Sequence, residues 1–169
     1  MMMLFRMDLA ILSQPPWQTV QPEPPGGLTA IESAELTRQK SPKGRVDAAL
    51  KLAVLRVGRA LNLSQQSQFQ GAKEELELFA NLVIYADGIT RAIPVEKRND
   101  RDNCLKKIEQ TIFRQSPRFE SIIREFPLEY REASAPFTER VKRVRLQAIN
   151  DLLGGGAAIK VPEEPEEPK

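Results

Sequence analysis

Across positions 42–63 the apolar residues Val46, Ala49, Leu50, Ala53, Val54, Val57, Ala60 and Leu61 recur at intervals suited to one face of a helix. At ~100° per residue they share an arc of roughly 140°, and Arg45, Lys51, Arg56 and Arg59 fall outside it. The pattern predicts an amphipathic helix, with Ser41 as N-cap and Pro42 at the first helical position. Leu52 and Leu55 lie on the charged side and ask for a second contact. A short upstream helix is the nearest candidate. It follows from the capping box Thr29-Ala30-Ile31-Glu32, in which hydroxyl and carboxylate satisfy opposing backbone N–H groups, and is predicted over 30–39.

Ser67-Gln68-Phe69-Gln70 reads as a second capping box, opening a helix over 68–93 that Pro94 stops. Glu74, Glu75 and Glu77 suit the positive end of its macrodipole. From 78 to 89 the residues are apolar almost all the way round, the mark of a central helix or a subunit interface. A charged loop at 93–100 leads to a helix over 101–126. There Leu105, Ile108, Ile112, Phe119, Ile123 and Phe126 keep one helical phase across Ser116-Pro117, which predicts a kinked but continuous helix, with a Ser-capped break as the alternative. Pro127 stands at the first position of a last helix, 128–153, which Pro136 bends or restarts and Gly154 ends.

The β-branched residues of VLRVGRAL and LVIYADGIT fit a period of 3.6 better than 2, so no strand is predicted. Four long helices joined by short loops describe an all-α, up-down-up-down antiparallel four-helix bundle with a short extra N-terminal helix. The domain spans 28–153. Before it, residues 1–27 read as an extended, mostly disordered leader whose second half holds five prolines, two glycines and the lone Trp17. After it, 154–169 reads as a flexible acidic, proline-rich tail.

Composition supports the helical reading: 41% of residues are hydrophobic but only 6% aromatic, leaving Leu, Val, Ile and Ala to fill the core. Net charge is +2. Two lysines and four glutamates in the tail leave the remaining residues with 23 basic against 19 acidic groups, a bias of +4. That is too mild to identify a polyanion-binding domain. Arg6 and Asp8 interrupt the apolar N-terminus, and no window approaches a membrane span. A single cysteine fits a reducing compartment, so a cytoplasmic location is favoured, with export the alternative if translation starts upstream.

The chain has no histidine, which removes Ser-His-Asp and Cys-His catalysis and every imidazole metal site. No cofactor or metal is expected. Glu32 with Glu35, Glu74 with Glu77, and Glu129 with Glu132 are read as solvated helix surface. Lys106, Lys107 and a helix N-terminus would lower the pKa of Cys104, but a small half-buried residue beside Leu105 and Ile108 is the simpler reading. GGGAAIK lacks the phosphate-loop pattern and is a helix stop. Gly88, inside a helix, costs about 1 kcal/mol against alanine and leaves room for a close helix crossing.

Arg140, Lys142, Arg143 and Arg145 fall within six residues in the middle of the last helix. On a helical wheel Arg140 and Arg143 face away from the apolar arc, whereas Lys142 and Arg145 fall within it. Arg145, between Leu152 and Ile149, is therefore a candidate buried charge requiring a carboxylate, with Glu109, Glu120 or a glutamate of the second long helix available. Arg45, Arg56, Arg59, Arg140 and Arg143 would form one basic patch only if the first and fourth long helices lay side by side. The expectation is a non-enzymatic module for protein–protein contact or self-association, its partner an unnamed protein or a second copy. A nucleic-acid accessory protein using that patch is the alternative. An enzyme or small-ligand carrier using the bundle core ranks last.

Overall fold

A computed structural model describes residues 22–154. They form five α-helices, α1 (Ala30–Arg38), α2 (Pro42–Gln65), α3 (Phe69–Arg91), α4 (Arg98–Glu125) and α5 (Leu128–Leu152), with a 3-10 turn at Val95–Lys97. No strand occurs among the described residues. The acidic tail beyond Gly154 and the leader before Pro22, with Trp17, lie outside them.

The capping box at α1 forms as expected. Thr29 N–H donates to Glu32 Oε2 at 2.9 Å, and Glu32 N–H donates to Thr29 Oγ1 at 3.2 Å. Ser41 caps α2, its Oγ accepting from Gly44 N–H at 3.0 Å. The second capping box does not form. Ser67 instead adopts φ 59° just past the end of α2, where Ser67 N–H donates to Ser64 O at 2.9 Å and Gln68 N–H to Leu63 O at 2.9 Å. This pair of bonds is a Schellman closure. A residue committed to the left-handed end of one helix lacks the extended backbone needed to cap the next.

The predicted charged loop shortens, because Pro94 opens the 3-10 turn, Lys97 N–H reaches Pro94 O at 2.9 Å, and α4 starts at Arg98. Neither internal proline splits its helix. Ser116 Oγ donates to Ile112 O at 2.8 Å beside Pro117, and Ser134 Oγ and Thr138 Oγ1 bond carbonyls one turn back around Pro136. Pro127 stands at the N-cap position, one residue before α5 rather than at its first helical position, and makes no side-chain cap bond. Arg131 Nη2 then reaches Arg124 O at 2.9 Å and Phe126 O at 3.1 Å, closing carbonyls at the end of α4. Gly154, at φ +71°, ends α5 as expected.

Helix α3 is the centre of the fold and packs on α2, α4 and α5. Its residues 78–89 are therefore consumed internally, with Phe79, Ala80, Leu82, Val83, Tyr85, Ala86 and Ile89 all buried. Helices α2 and α5 each touch α3 and α4 but do not touch one another. In a simple up-down-up-down ring they would be neighbours. Between Phe69–Arg91 and Val95–Glu125 the path bends by 108°, well short of a hairpin reversal. On α4 the buried stripe runs Leu105, Ile108, Ile112, Phe119 and Ile122 and continues to Phe126 just past its end, so Ile122 takes the core position expected of Ile123. Val54, expected in the core, is 39% exposed. No single described helix is long and apolar enough to cross a membrane.

The last six residues of the predicted free leader are seated on the fold. A Cβ built on Gly88 would lie 3.4 Å from Pro22 Cγ, and one on Gly27 would lie 2.9 Å from Leu78 Cδ2. Gly88 thus admits Pro22 rather than a crossing helix. Pro22 meets Gly88 and Gly27 meets Leu78, ten positions earlier on α3, so the strap runs antiparallel to α3.

Candidate interaction face and internal charges

Arg56 falls just outside the edge of the main apolar arc of α2, yet it is only 4% exposed, where α1 and α3 both pack on α2. Its Nη1 donates to Glu75 Oε1 and Oε2 at 3.2 and 3.0 Å, and its Nη2 to Glu32 Oε2. The guanidinium thus joins α1, α2 and α3. Arg59 Nη1 reaches Glu32 Oε1 at a longer 3.5 Å. Glu32, expected on a solvated surface, has a side chain only 12% exposed. A sequence signal existed: Leu52, on the same side as Arg56, marks a second buried contact and packs against the core.

Burial works to raise the pKa of Glu32. The backbone N–H and hydroxyl of Thr29, with the charges of Arg56 and Arg59, outweigh it and hold the carboxyl below its ordinary range. A carboxyl lowered in the folded state contributes stability that is present above its unfolded pKa and lost as pH falls through the folded one. Acidification from about pH 4 downward is therefore expected to weaken the parent more than Glu32→Gln, by urea midpoints at stepped pH. Parallel pH curves would remove Glu32 from the account.

The predicted basic patch is not assembled. Arg56 is buried, and the separation of α2 from α5 keeps Arg45 and Arg59 on a different helix pair from Arg140 and Arg143. Arg140 Nη2 lies 4.0 Å from Glu77 Oε1 of α3. Lys142, placed within the apolar arc by the wheel, is more than half exposed and bonds Glu139 at 2.8 Å.

Arg145 finds one of its expected carboxylates, its Nε donating to Glu109 Oε1 at 3.1 Å. It is half-buried rather than buried, with 32% of its side chain exposed, and its guanidinium carbon lies 4.9 Å from the centre of the Phe113 ring. Water reaches this pair, so Arg145→Met is expected to change stability by no more than about 1 kcal/mol. Urea melts measure it, and a loss of several kcal/mol would restore the buried-pair reading.

A second charged group lies where α3 ends beside α5. Asp87 Oδ2 accepts from Arg91 Nε at 2.7 Å, and Arg91 Nη1 reaches Asp151 Oδ2 at 3.1 Å. Asp87 Oδ1 is buried without a hydrogen-bond partner. Burial raises the Asp87 pKa, and the bond from Arg91 only partly offsets it. Asp151 also lines a cavity of about 410 Å³ with Val95, Arg98, Arg101, Asp102 and Leu105.

Cys104 is fully buried, and burial pushes its thiol above the ordinary range, with Asp47 adding to the rise and Lys107 only partly opposing it. This is the reverse of the shift that a helix N-terminus and neighbouring lysines suggested. Among the described residues no group of three His, Cys, Asp or Glu side chains is placed to hold a metal ion.

The strap is the remaining feature with the form of a recognition site. Pro22, Pro24 and Pro25 are half-buried, and Leu28, just after the strap, packs against the core. An extended proline-rich segment thus occupies the surface of α3 between Leu78 and Gly88. No family model, curated protein or solved structure matches the chain.

Proposed function

We propose that this chain is a non-enzymatic protein–protein interaction module built on a four-helix bundle with a crossing α3–α4 link. In this reading the outer face of α3 receives an extended proline-rich segment. The observation that carries it is the seating of residues 22–27 along Leu78 and Gly88. Polyproline II suits such a role because it is extended before binding and sacrifices little conformational entropy on docking. The charged groups support a structural use: Arg56, Arg91 and Arg145 each meet a carboxylate of the same chain.

A labelled peptide of residues 21–28 tests the reading by anisotropy against the full chain and against full-length Pro22→Ala/Pro24→Ala/Pro25→Ala. Saturable binding that is stronger to the variant, whose own strap is weakened, is the expected result. Equal and unsaturable signals for both would count against the face.

The cavity beside Asp151 favours a second reading, a small-ligand carrier, since Arg98, Arg101, Asp102 and Asp151 converge there. A ligand of this kind would be small and zwitterionic, matching guanidinium and carboxylate groups together. Thermal shifts with amino acids, abolished by Arg101→Ala, would support it, and their absence would not.

A further inference from the structure

The strap meets α3 where the Pro22 ring lies against Gly88 and Gly27 against the Leu78 side chain, and no backbone hydrogen bond among the described residues ties residues 22–27 to the helices. It joins the body through Gly26-Gly27. Gly27 sits at φ +83°, and a Cβ built on Gly26 meets nothing within 4 Å. These features combine a segment that has no backbone hydrogen bond to the helices among the described residues with a two-glycine hinge. Local elements held in this way open at a small fraction of the global unfolding free energy.

We propose that the strap exchanges between two copies of this chain, residues 22–25 of each lying on α3 of the other and Gly26-Gly27 serving as the hinge. The proposal rests on the reading of α3 as a docking face for proline-rich segments and names the occupant. Every copy carries the same segment, so the packing a strap gives up on opening is recovered on the partner's α3. Such exchange is a low-cost route to a dimer because no new interface has to be formed. A directly tethered strap has an effective concentration in the millimolar range. Closed monomers therefore dominate in dilute solution, and exchanged dimers accumulate as the chain concentration approaches about 1 mM.

The geometry supplies its own test. Pro22 Cβ lies 3.8 Å from a Cβ built on Gly88, inside the ~3.5–4.5 Å that a disulfide spans. The full-length double variant Pro22→Cys/Gly88→Cys would be held at micromolar or near-millimolar concentration, diluted, oxidised and run on a non-reducing gel. Cys104 stays in place because it is buried. The helical content of the variant is checked by circular dichroism, and unmodified chain is followed by light scattering over the same concentrations.

Monomeric disulfide from dilute samples, with covalent dimer rising severalfold after concentrated incubation, is the expected result. Pro22→Cys combined with Lys106→Cys, an exposed position on α4, should yield no such dimer. Monomeric disulfide at every concentration would overturn exchange while leaving the strap seated on α3. Dimers by light scattering without the interchain disulfide would also overturn it, placing association on another face. No disulfide in a folded variant would overturn the seat itself, and with it the proposed docking face.

Discussion

Replacing Arg56 by alanine is expected to cost the fold about 3–5 kcal/mol, the range for removing one partner of a buried ion pair. Both carboxylates lose their main counter-charge together, and their side chains, 12% exposed for Glu32 and 19% for Glu75, have little water to replace it. The isolated guanidinium attraction is not what sets the size of the effect. Desolvation has already been imposed on three charged groups, and the variant takes from two of them the guanidinium they share. Neutralising the whole cluster, with Arg56→Met, Glu32→Gln and Glu75→Gln together, should therefore recover much of the loss. Arg59→Ala, at an exposed position with a 3.5 Å contact, should cost less than about 1 kcal/mol. Urea denaturation followed by far-ultraviolet circular dichroism measures all three. If Arg56→Ala were no worse than Arg59→Ala, the cluster would behave as a surface network.

A loss of similar size, about 3–5 kcal/mol, is expected for Phe79→Ala. Phe79 is fully buried on α3 and its ring centre lies 5.5 Å from that of Phe119 on α4. Phe119 in turn meets Phe137 of α5 edge-on, with centres 6.1 Å apart and planes at 89°. Truncating the first ring both returns its transfer energy and leaves a void at the meeting of three helices, which rigid helix backbones fill poorly. Phe113→Ala provides the comparison. Phe113 is 59% exposed and its ring faces Arg145, so its loss should cost no more than about 1 kcal/mol. The same denaturation series ranks the two, and equal losses would contradict the central place of α3.

The helices were largely legible from local signals. Thr29 with Glu32, Ser41 with Pro42, and Gly154 each act within one turn of chain, and each does in the structure what its spacing implies. Continuity across Pro117 was readable because Phe119 remains in phase with Ile112. Ser67 was misleading for a physical reason: its motif is local, but whether it closes α2 or opens α3 depends on the angle at which two helices pack. The candidate site was less legible. Glycine at position 88 was an evident oddity, yet sequence alone does not say which segment approaches it. The answer, Pro22, lies 66 positions away.

From the residues by themselves followed the all-helical class, the helix ends to within a few positions, and the removal of histidine chemistry. Periodicity and capping are properties of neighbours along the chain, and they survive without tertiary contacts. Only the tertiary structure decided the burial of Arg56, the separation of α2 from α5, and the strap on α3. A helical wheel has one angular coordinate and treats each helix as covered from one side. Here α1 covers a second side of α2, and the leader lies along a further face of α3. Charge placement is settled by such coverage, because the same guanidinium is solvated or buried according to which distant segment lies over it.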